Sequence, residues 1–402
     1  MAAVLATLLR TYGITTQVVQ DDEWHAIHKL MSASYAQIAA AFGYADYSIP
    51  LTLFYKAMAG TIGLDEWRMR ALQVACGIAV TLLAPILAWR ATRDAAASAL
   101  YAFFLAGAPF LVLYSRFARP YSITLLLTVI GLAAIWQWRA RRSIGLAALA
   151  AACAALAAWL HPISGIFPAA ACLFVLGEDL CAPSGIRWRP ARQSFALGAG
   201  VALAMIAPLA PPLWNDYASL STKAGGDHPS LHTLWRALSI FSGGLSNGAT
   251  AVMVALAGFG SWCLARANPR LAAYLGVLTA FPILFLFIVG AKWTQQGHTF
   301  ARYILPVQAM FLFCAALGVS SLARKVSARP MAGYAAAAIV AIAYLALAPT
   351  LRQVATLHEW YGHLLHHYDY GDPRNNAIVP YDGFRTPDFY RKLGAMPEGS
   401  AP

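Results

Sequence analysis

The sequence predicts an all-α fold, a polytopic transmembrane helix bundle of about 10–11 spans, with amphipathic helices in a long first outward loop. Three observations carry that prediction. The 402-residue chain is 59% hydrophobic, with mean hydropathy +0.57. Only 11% of its residues are charged, against about a quarter in a soluble domain, so the charges would not cover a globule. Long apolar runs recur along nearly the whole length, and basic residues fall in every second loop between them. The net charge of +12 therefore reports topology, and no nucleic-acid partner is implied.

Apolar runs of membrane-spanning length place helices at 71–89, 95–114, 121–138, 144–160, 163–177, 195–213, 249–265, 271–290, 303–322 and 332–350. The opening "MAAVLATLLR" lacks a basic n-region and a small-residue cleavage site, so it is not a conventional signal peptide. It reads as half of a span. Either this first helix is short and tilted, or the start lies upstream of Met1, and a shortened N-terminus is the favoured reading. Between 144 and 177 only "HPISG" interrupts the apolar run, which suggests two short helices and a tight turn.

Arginine and lysine in short loops mark the cytoplasmic side. Alternate loops hold Arg90 and Arg93; Arg139, Arg141 and Arg142; Arg187, Arg189 and Arg192; Arg266 and Arg270; and Arg324, Lys325 and Arg329. The other segments, 11–70, 115–120, around His161, 214–248, 291–302 and from 351, then face outward. Histidines and acids give a partly independent check. All ten histidines, and all acids except Asp94, Glu178 and Asp179, fall in the outward set. The six cysteines avoid the long outward loops, which implies no disulfide framework and suits an oxidising outer compartment. An inner-membrane protein is expected, with a cytoplasmic N-terminus and an outward, periplasmic C-terminus. Residues 1–350 form the membrane domain, and 351–402 a short outward tail.

The outward segments carry the candidate chemistry. Residues 11–70 contain helix-like patterns in "AIHKLMSASYAQIAAAF" and "PLTLFYKAMAGTIG", which read as amphipathic helices on the membrane surface. At the start of this loop Asp21, Asp22 and Glu23 stand together. Such carboxylates can act as a general base or hold a divalent cation; a solvated loop at a helix exit is the plain alternative. "YSRFARPYS" puts Arg116 and Arg119 in a short outward turn beside Tyr121. Their planar forks suit phosphate, whereas snorkelling to lipid headgroups is the other reading. "TQQGHTFARYILP" repeats the theme with His298, Arg302 and Tyr303, and His161 occupies a further outward turn. The tail "HEWYGHLLHHYDYGD" is rich in histidine but contains no HExxH zinc motif, and a simple interfacial helix explains it as well.

These motifs, in this order, resemble the GT-C superfamily of polytopic glycosyltransferases. The likeness is to the branch of protein O-mannosyltransferases and the lipid A aminoarabinose transferase, where an Asp-Glu pair opens the first outward loop. "QDDEWHAIH" is similar to that motif, with Asp22 and Glu23 matching the pair. Pro50, Leu51, Tyr55 and Arg70 match the family's proline-leucine-aromatic stretch and its Arg at the second helix. "RFARPYS" resembles the Arg-Pro-Tyr turn, "LHPISG" the His-containing turn, and "ARYILP" the entry to a late helix. One proline of the usual Pro-Pro-Leu is Ile49, and no large soluble C-terminal domain is expected.

The resemblance implies a polyprenyl-phosphate-linked sugar as donor and a lipid, glycan or protein as acceptor, with transfer on the outer face and inversion. It implies Asp22 as the base that takes the acceptor proton, with Glu23 orienting it or contacting the acceptor. Arg119 and Arg302 would hold the departing phosphate, with Arg116, His161 and Lys56 as lesser candidates, and Arg70, Tyr121, Tyr303 and His298 as further ones. No cofactor or metal is obligatory in this branch, although a divalent cation near Asp22 stays open. The rival from another class is a transporter or flippase of lipid-linked saccharides, which should carry charges at mid-span; the spans hold almost none away from their ends.

Overall fold

A computed structural model describes residues 1–15, 23, 27, 30, 32–181, 185, 187–327, 329 and 331–356. Within them the protein is an all-α bundle. The one β-type pairing among the described residues is an isolated bridge between Ala224 and Ala291. Seven helices are long and apolar enough to cross a membrane, and an eighth if a bent pair counts as one. The spans read from apolar runs all reappear as helices.

The chain opens with α1 (Ala2–Thr11), followed by two short helices of the first long loop, α2 (Tyr35–Ala40) and α3 (Ile49–Thr61). The long α4 (Glu66–Thr92) then leads to α5 (Ala95–Gly107) and α6 (Pro109–Ser115). After α7 (Tyr121–Arg141) and α8 (Ile144–Leu160), a 3-10 turn at Pro162–Gly165 enters α9 (Ile166–Leu180). The second half holds α10 (Trp188–Asn215), the short α11 (Tyr217–Ser221), α12 (Leu231–Phe241), α13 (Asn247–Ala267) and α14 (Pro269–Val289). Last come α15 (Gly297–Tyr303), α16 (Leu305–Val326), α17 (Ala332–Leu347) and α18 (Thr350–Thr356). Of the outward tail expected over 351–402, residues 357–402, including His358, His363, His366 and His367, lie outside the described residues.

Local chemistry sets the helix ends. Asp65 and Asp94 cap α4 and α5 by accepting from the backbone N–H of Arg68 (2.7 Å) and Ala97 (3.0 Å). Ser34 and Gln37 form a reciprocal capping box at α2. Arg93 and Arg142 end α4 and α7 in the left-handed region (φ 58° and 49°), which turns the chain sharply at one end of the bundle. The loop over 214–248, read only as an outward segment, contains α12, whose N-terminus is boxed by Ser230 and Thr233.

The span expected at 95–114 is broken. Pro109 cannot donate to the preceding turn, Ala108 is extended, and α5 and α6 meet at 57°. The break exposes carbonyls inside the protein, and Arg10 of α1 answers them. Its Nη1 donates to Ala106 O (3.1 Å), its Nη2 to Leu105 O (3.0 Å) and its Nε to Ser115 Oγ (3.1 Å). Gly77 on α4 leaves room for this contact, since a Cβ there would lie 2.0 Å from Ser115 Oγ. The short α1 is thus docked on α4 and α5, with its last turn tied to the break.

The most central helix is α16, which packs on α5, α7, α13 and α17. Its closest neighbour is α13. Gly260 and Gly318 face each other's helices so closely that a Cβ on either would fall 1.9 Å from Cys314 O or 2.1 Å from Leu256 O. Small residues at a membrane helix crossing let the backbones touch and maximise van der Waals contact where no water drives burial.

Candidate functional site

Helix connectivity gathers one set of loops at one end of the bundle: the first long loop, the 116–120 turn, His161, the segment after α10, and residues 290–304. The first long loop is pinned there by Glu23. Its carboxylate is fully buried and accepts from Arg70 Nε (2.9 Å), Arg70 Nη2 (2.8 Å) and the backbone N–H of Ala118 (2.7 Å). Arg70, one turn into α4, also donates from Nη1 to Ile14 O (2.8 Å). These bonds join Ile14 and Glu23 of the first loop to α4 and to the 116–120 turn. The adjacent Asp22, like Asp21, Trp24, His25 and His28, lies outside the described residues.

Around His161 the structure brings together much of what the sequence singled out. The imidazole lies between the rings of Tyr121 (5.5 Å) and Tyr303 (5.4 Å). Arg302, on α15, places its guanidinium over the same two rings, at 5.6 Å and 5.5 Å. Arg119 pairs with Asp46 at 2.6 Å. Lys223 Nζ stands 3.9 Å from the other oxygen of Asp46 and over the rings of Tyr47 and Trp293. Burial, followed by the fields of Arg119, Arg302 and Lys223 and opposed by Asp46, pushes the His161 pKa down to about 3. The ring is therefore neutral at physiological pH.

The backbone around Lys223 is unusual. Asp46, Tyr47 and Trp293 all have positive φ (39°, 66° and 65°). Apart from the two helix-capping arginines, they complete the set of such non-glycine residues among the described ones. Each such residue costs on the order of 1 kcal/mol or more and persists only where surrounding contacts over-determine it. Here the contacts include Tyr47 OH donating to Ser219 O and Trp293 N–H donating to Asp227 Oδ2, each at 2.5 Å.

Other candidates lie elsewhere. Arg116 is buried and donates from Nη1 to Leu9 O (2.9 Å), so it faces α1. Lys56 donates to Leu30 O (2.6 Å) over the Tyr35 ring; no contact joins it to Arg119, Arg302 or His161 among the described residues. His298, one turn before Arg302 on α15, is buried with its Nε2 2.8 Å from Thr299 Oγ1. Asp46, Lys223 and Trp293 were not singled out by sequence, and Tyr47 only as an interfacial anchor of the first loop. Asp46 opens the "DYSIPLTLFYK" stretch but belongs to no motif element, and Lys223 is a single lysine in a long loop. Among the described residues no group of three or more His, Cys, Asp or Glu gathers as a metal site.

Two solved structures share this architecture. ArnT from Cupriavidus metallidurans in the apo state superposes with a TM-score of 0.54 at 17% identity, covering 97% of this chain and 74% of that one. The same protein bound to undecaprenyl phosphate gives 0.55 at 16% identity, with 98% and 75% covered. The fold is that of ArnT. At this identity the likeness concerns the fold alone. No family model and no curated protein sequence matches the chain.

Proposed function

We propose that the protein is a membrane glycosyltransferase that moves a sugar from a polyprenyl-phosphate donor to an acceptor hydroxyl or amine. The observation that carries this reading is the meeting of Arg119, Arg302 and Lys223 around a neutral His161 at one end of an ArnT-like bundle. Arg119, Arg302 and Lys223, gathered with Asp46 among the described residues, suit a phosphate that gains charge as its bond to the sugar breaks. The neighbour's complex with undecaprenyl phosphate supports a lipid carrier. So does an apolar groove of about 700 Å³ between α12, α13, α14 and α16, which begins at Ile304 and Val307 beside Arg302. Its lining is almost wholly apolar, as a polyprenyl chain requires.

In the proposed reaction the Asp22 carboxylate takes the proton of the acceptor O–H or N–H. The acceptor atom attacks the anomeric carbon from the face opposite the phosphate, and the carbon–oxygen bond to phosphate breaks. The electron pair leaves on the phosphate oxygen, which Arg302 and Arg119 stabilise. One displacement inverts the anomeric centre with no covalent intermediate. Glu23, locked to Arg70 and the Ala118 N–H, follows the proposed base directly in sequence and serves as its anchor in this reading. The reading places this chemistry on the outer, periplasmic face of the inner membrane, with no obligatory metal, in the branch that includes aminoarabinose and protein O-mannosyl transfer.

The experiment compares membranes from cells expressing the wild type or Asp22→Asn at matched levels. Lipid extracts are analysed by mass spectrometry for polyprenyl-phosphate sugars. Accumulation of one such lipid only with the variant is the expected result, and its mass identifies the sugar. Identical profiles, together with a radiolabelled lipid-linked donor left untouched by wild type, would remove the transferase reading and bring a flippase of lipid-linked saccharides forward.

A further inference from the structure

At the end of the bundle opposite His161, a cavity of about 570 Å³ opens between the C-terminal halves of α4 and α7, the N-terminal half of α14, and α16. Its volume falls within the roughly 300–1,000 Å³ of ligand pockets. The interior is apolar and aromatic, with Trp136 and Tyr274 packed ring against ring at 5.0 Å. Three arginines, Arg90, Arg93 and Arg141, stand exposed at its mouth, with Trp89 beneath Arg93 at 5.0 Å.

The charges at this end are unevenly matched. It holds three acids, and each is engaged away from the cavity. Asp94 pairs with Arg324 (2.6 Å), Glu178 with Arg139 (3.2 Å), and Asp179 with Arg142 (2.7 Å) and Arg187 (2.5 Å). No acid pairs with Arg90, Arg93 or Arg141 among the described residues, although Arg139 and Arg142 are their neighbours in sequence. Basic residues in inner loops set topology wherever they fall. Arg189, Arg192, Arg266, Lys325 and Arg329 are likewise without an acid partner among the described residues, so what sets the three apart is their place around the mouth of an apolar cavity. An amphiphile with an anionic head meets both halves of the arrangement.

We infer that this cavity is a binding site for an anionic glycerophospholipid of the leaflet at this end, phosphate on Arg90, Arg93 and Arg141 and one acyl chain between α4, α7 and α14. Its phosphate position is separate from the proposed donor phosphate site, while the cavity and the donor groove meet at Leu275 and Met310, which line both. The two phosphate positions lie at opposite ends of α4, whose 27 residues span about 40 Å. Basic pockets between membrane helices commonly hold such headgroups, and each arginine near an anionic surface contributes about 1 kcal/mol, or about fivefold in affinity. The chain itself is as comfortable in the bilayer as in the cavity, so headgroup charge decides selectivity.

The test uses the full chain, delipidated in detergent and titrated with phosphatidylglycerol or phosphatidylcholine under native mass spectrometry. Wild type should retain phosphatidylglycerol about a hundredfold better. Arg90→Gln/Arg93→Gln/Arg141→Gln should lower that affinity about a hundredfold, toward the phosphatidylcholine value. A control with the same charge change at the same end, Arg189→Gln/Arg192→Gln/Arg266→Gln, should leave it within a fewfold. Ala133→Trp, which fills the cavity and keeps every charge, should weaken both lipids and gives an independent reading if the triple variant fails to fold. The inference is overturned if the control falls as far as the cavity variant, or if Ala133→Trp binds normally. It is overturned also if inorganic phosphate alone is retained by wild type and displaces the lipid, since the mouth would then hold a free anion. Donor turnover enters none of these readouts, so failure here is distinguishable from failure of the transferase reading.

Discussion

Glu23 and Arg70 form a fully buried two-pronged ion pair across 47 residues of sequence, with Nε–Oε1 at 2.9 Å and Nη2–Oε2 at 2.8 Å. Its place beside Asp22 gives the Asp-Glu motif two different occupations. The glutamate is spent on architecture, holding the first loop against α4 and the 116–120 turn. The aspartate is the member left for chemistry in the proposed mechanism.

Removing one partner of the pair should be structural in its effect. Glu23→Gln leaves a buried guanidinium without its counter-charge, which costs about 3–5 kcal/mol and should lower the thermal unfolding midpoint in detergent markedly. Glu23→Met/Arg70→Met, which removes both charges, should recover much of that loss. Asp22→Asn should leave the midpoint unchanged while stopping transfer. Equal destabilisation by all three variants would dissolve the division of labour between the two acids.

Arg302 should be far less replaceable than the ring beneath it. Loss of one donor to a developing oxyanion typically lowers kcat by about 10²–10³, and Arg302→Ala should fall in that range. Arg302→Lys should recover little, because an ammonium offers no planar fork to a phosphate. Tyr121→Phe keeps the ring and should stay within a fewfold. Steady-state rates with a lipid-linked donor decide the order; full activity of Arg302→Lys would argue for simple charge.

His161 should write itself into stability rather than into the pH–rate profile. Its folded pKa of about 3 lies below the ordinary value of about 6.5, so between those values the unfolded chain binds a proton that the folded protein does not. Stability from this group is complete above about pH 6.5 and is lost as pH falls toward 3. The loss is at most about 2 kcal/mol between pH 7 and pH 5, less to the extent that water reaches the partly exposed ring. His161→Gln should flatten that part of an unfolding-versus-pH curve. An unchanged slope would mean that the imidazole titrates normally among its cations.

The α13–α16 crossing should tolerate nothing larger than glycine. Gly318→Ala would place a Cβ 2.1 Å from Leu256 O and Gly260→Ala one 1.9 Å from Cys314 O, so backbone must move against backbone. A loss of about 1–3 kcal/mol is expected for each, read as a lower unfolding midpoint. Gly258→Ala on the same helix, where a Cβ meets nothing within 4 Å, is the matching control and should be neutral or slightly stabilising.

The sequence by itself determined the bundle and its two ends. Apolar runs must be helical in lipid because every backbone group has to be satisfied within its own segment, and that constraint is local enough to read. The spans from 71–89 to 332–350 therefore reappear as helices, and the arginine-bearing loops alternate as the pattern requires. Pro109 was equally visible, but not that Arg10, 96 residues before Ala106, would answer the carbonyls its break exposes. Tertiary structure alone decided which cations meet. Arg116 and Arg119 are three residues apart in one turn, yet one faces Leu9 and the other Asp46. Lys223 enters the site only because the segment after α10 folds over Asp46 and Trp293. Such pairings join residues tens to hundreds of positions apart, and no periodicity or spacing along the chain records which helix end will lie beside which.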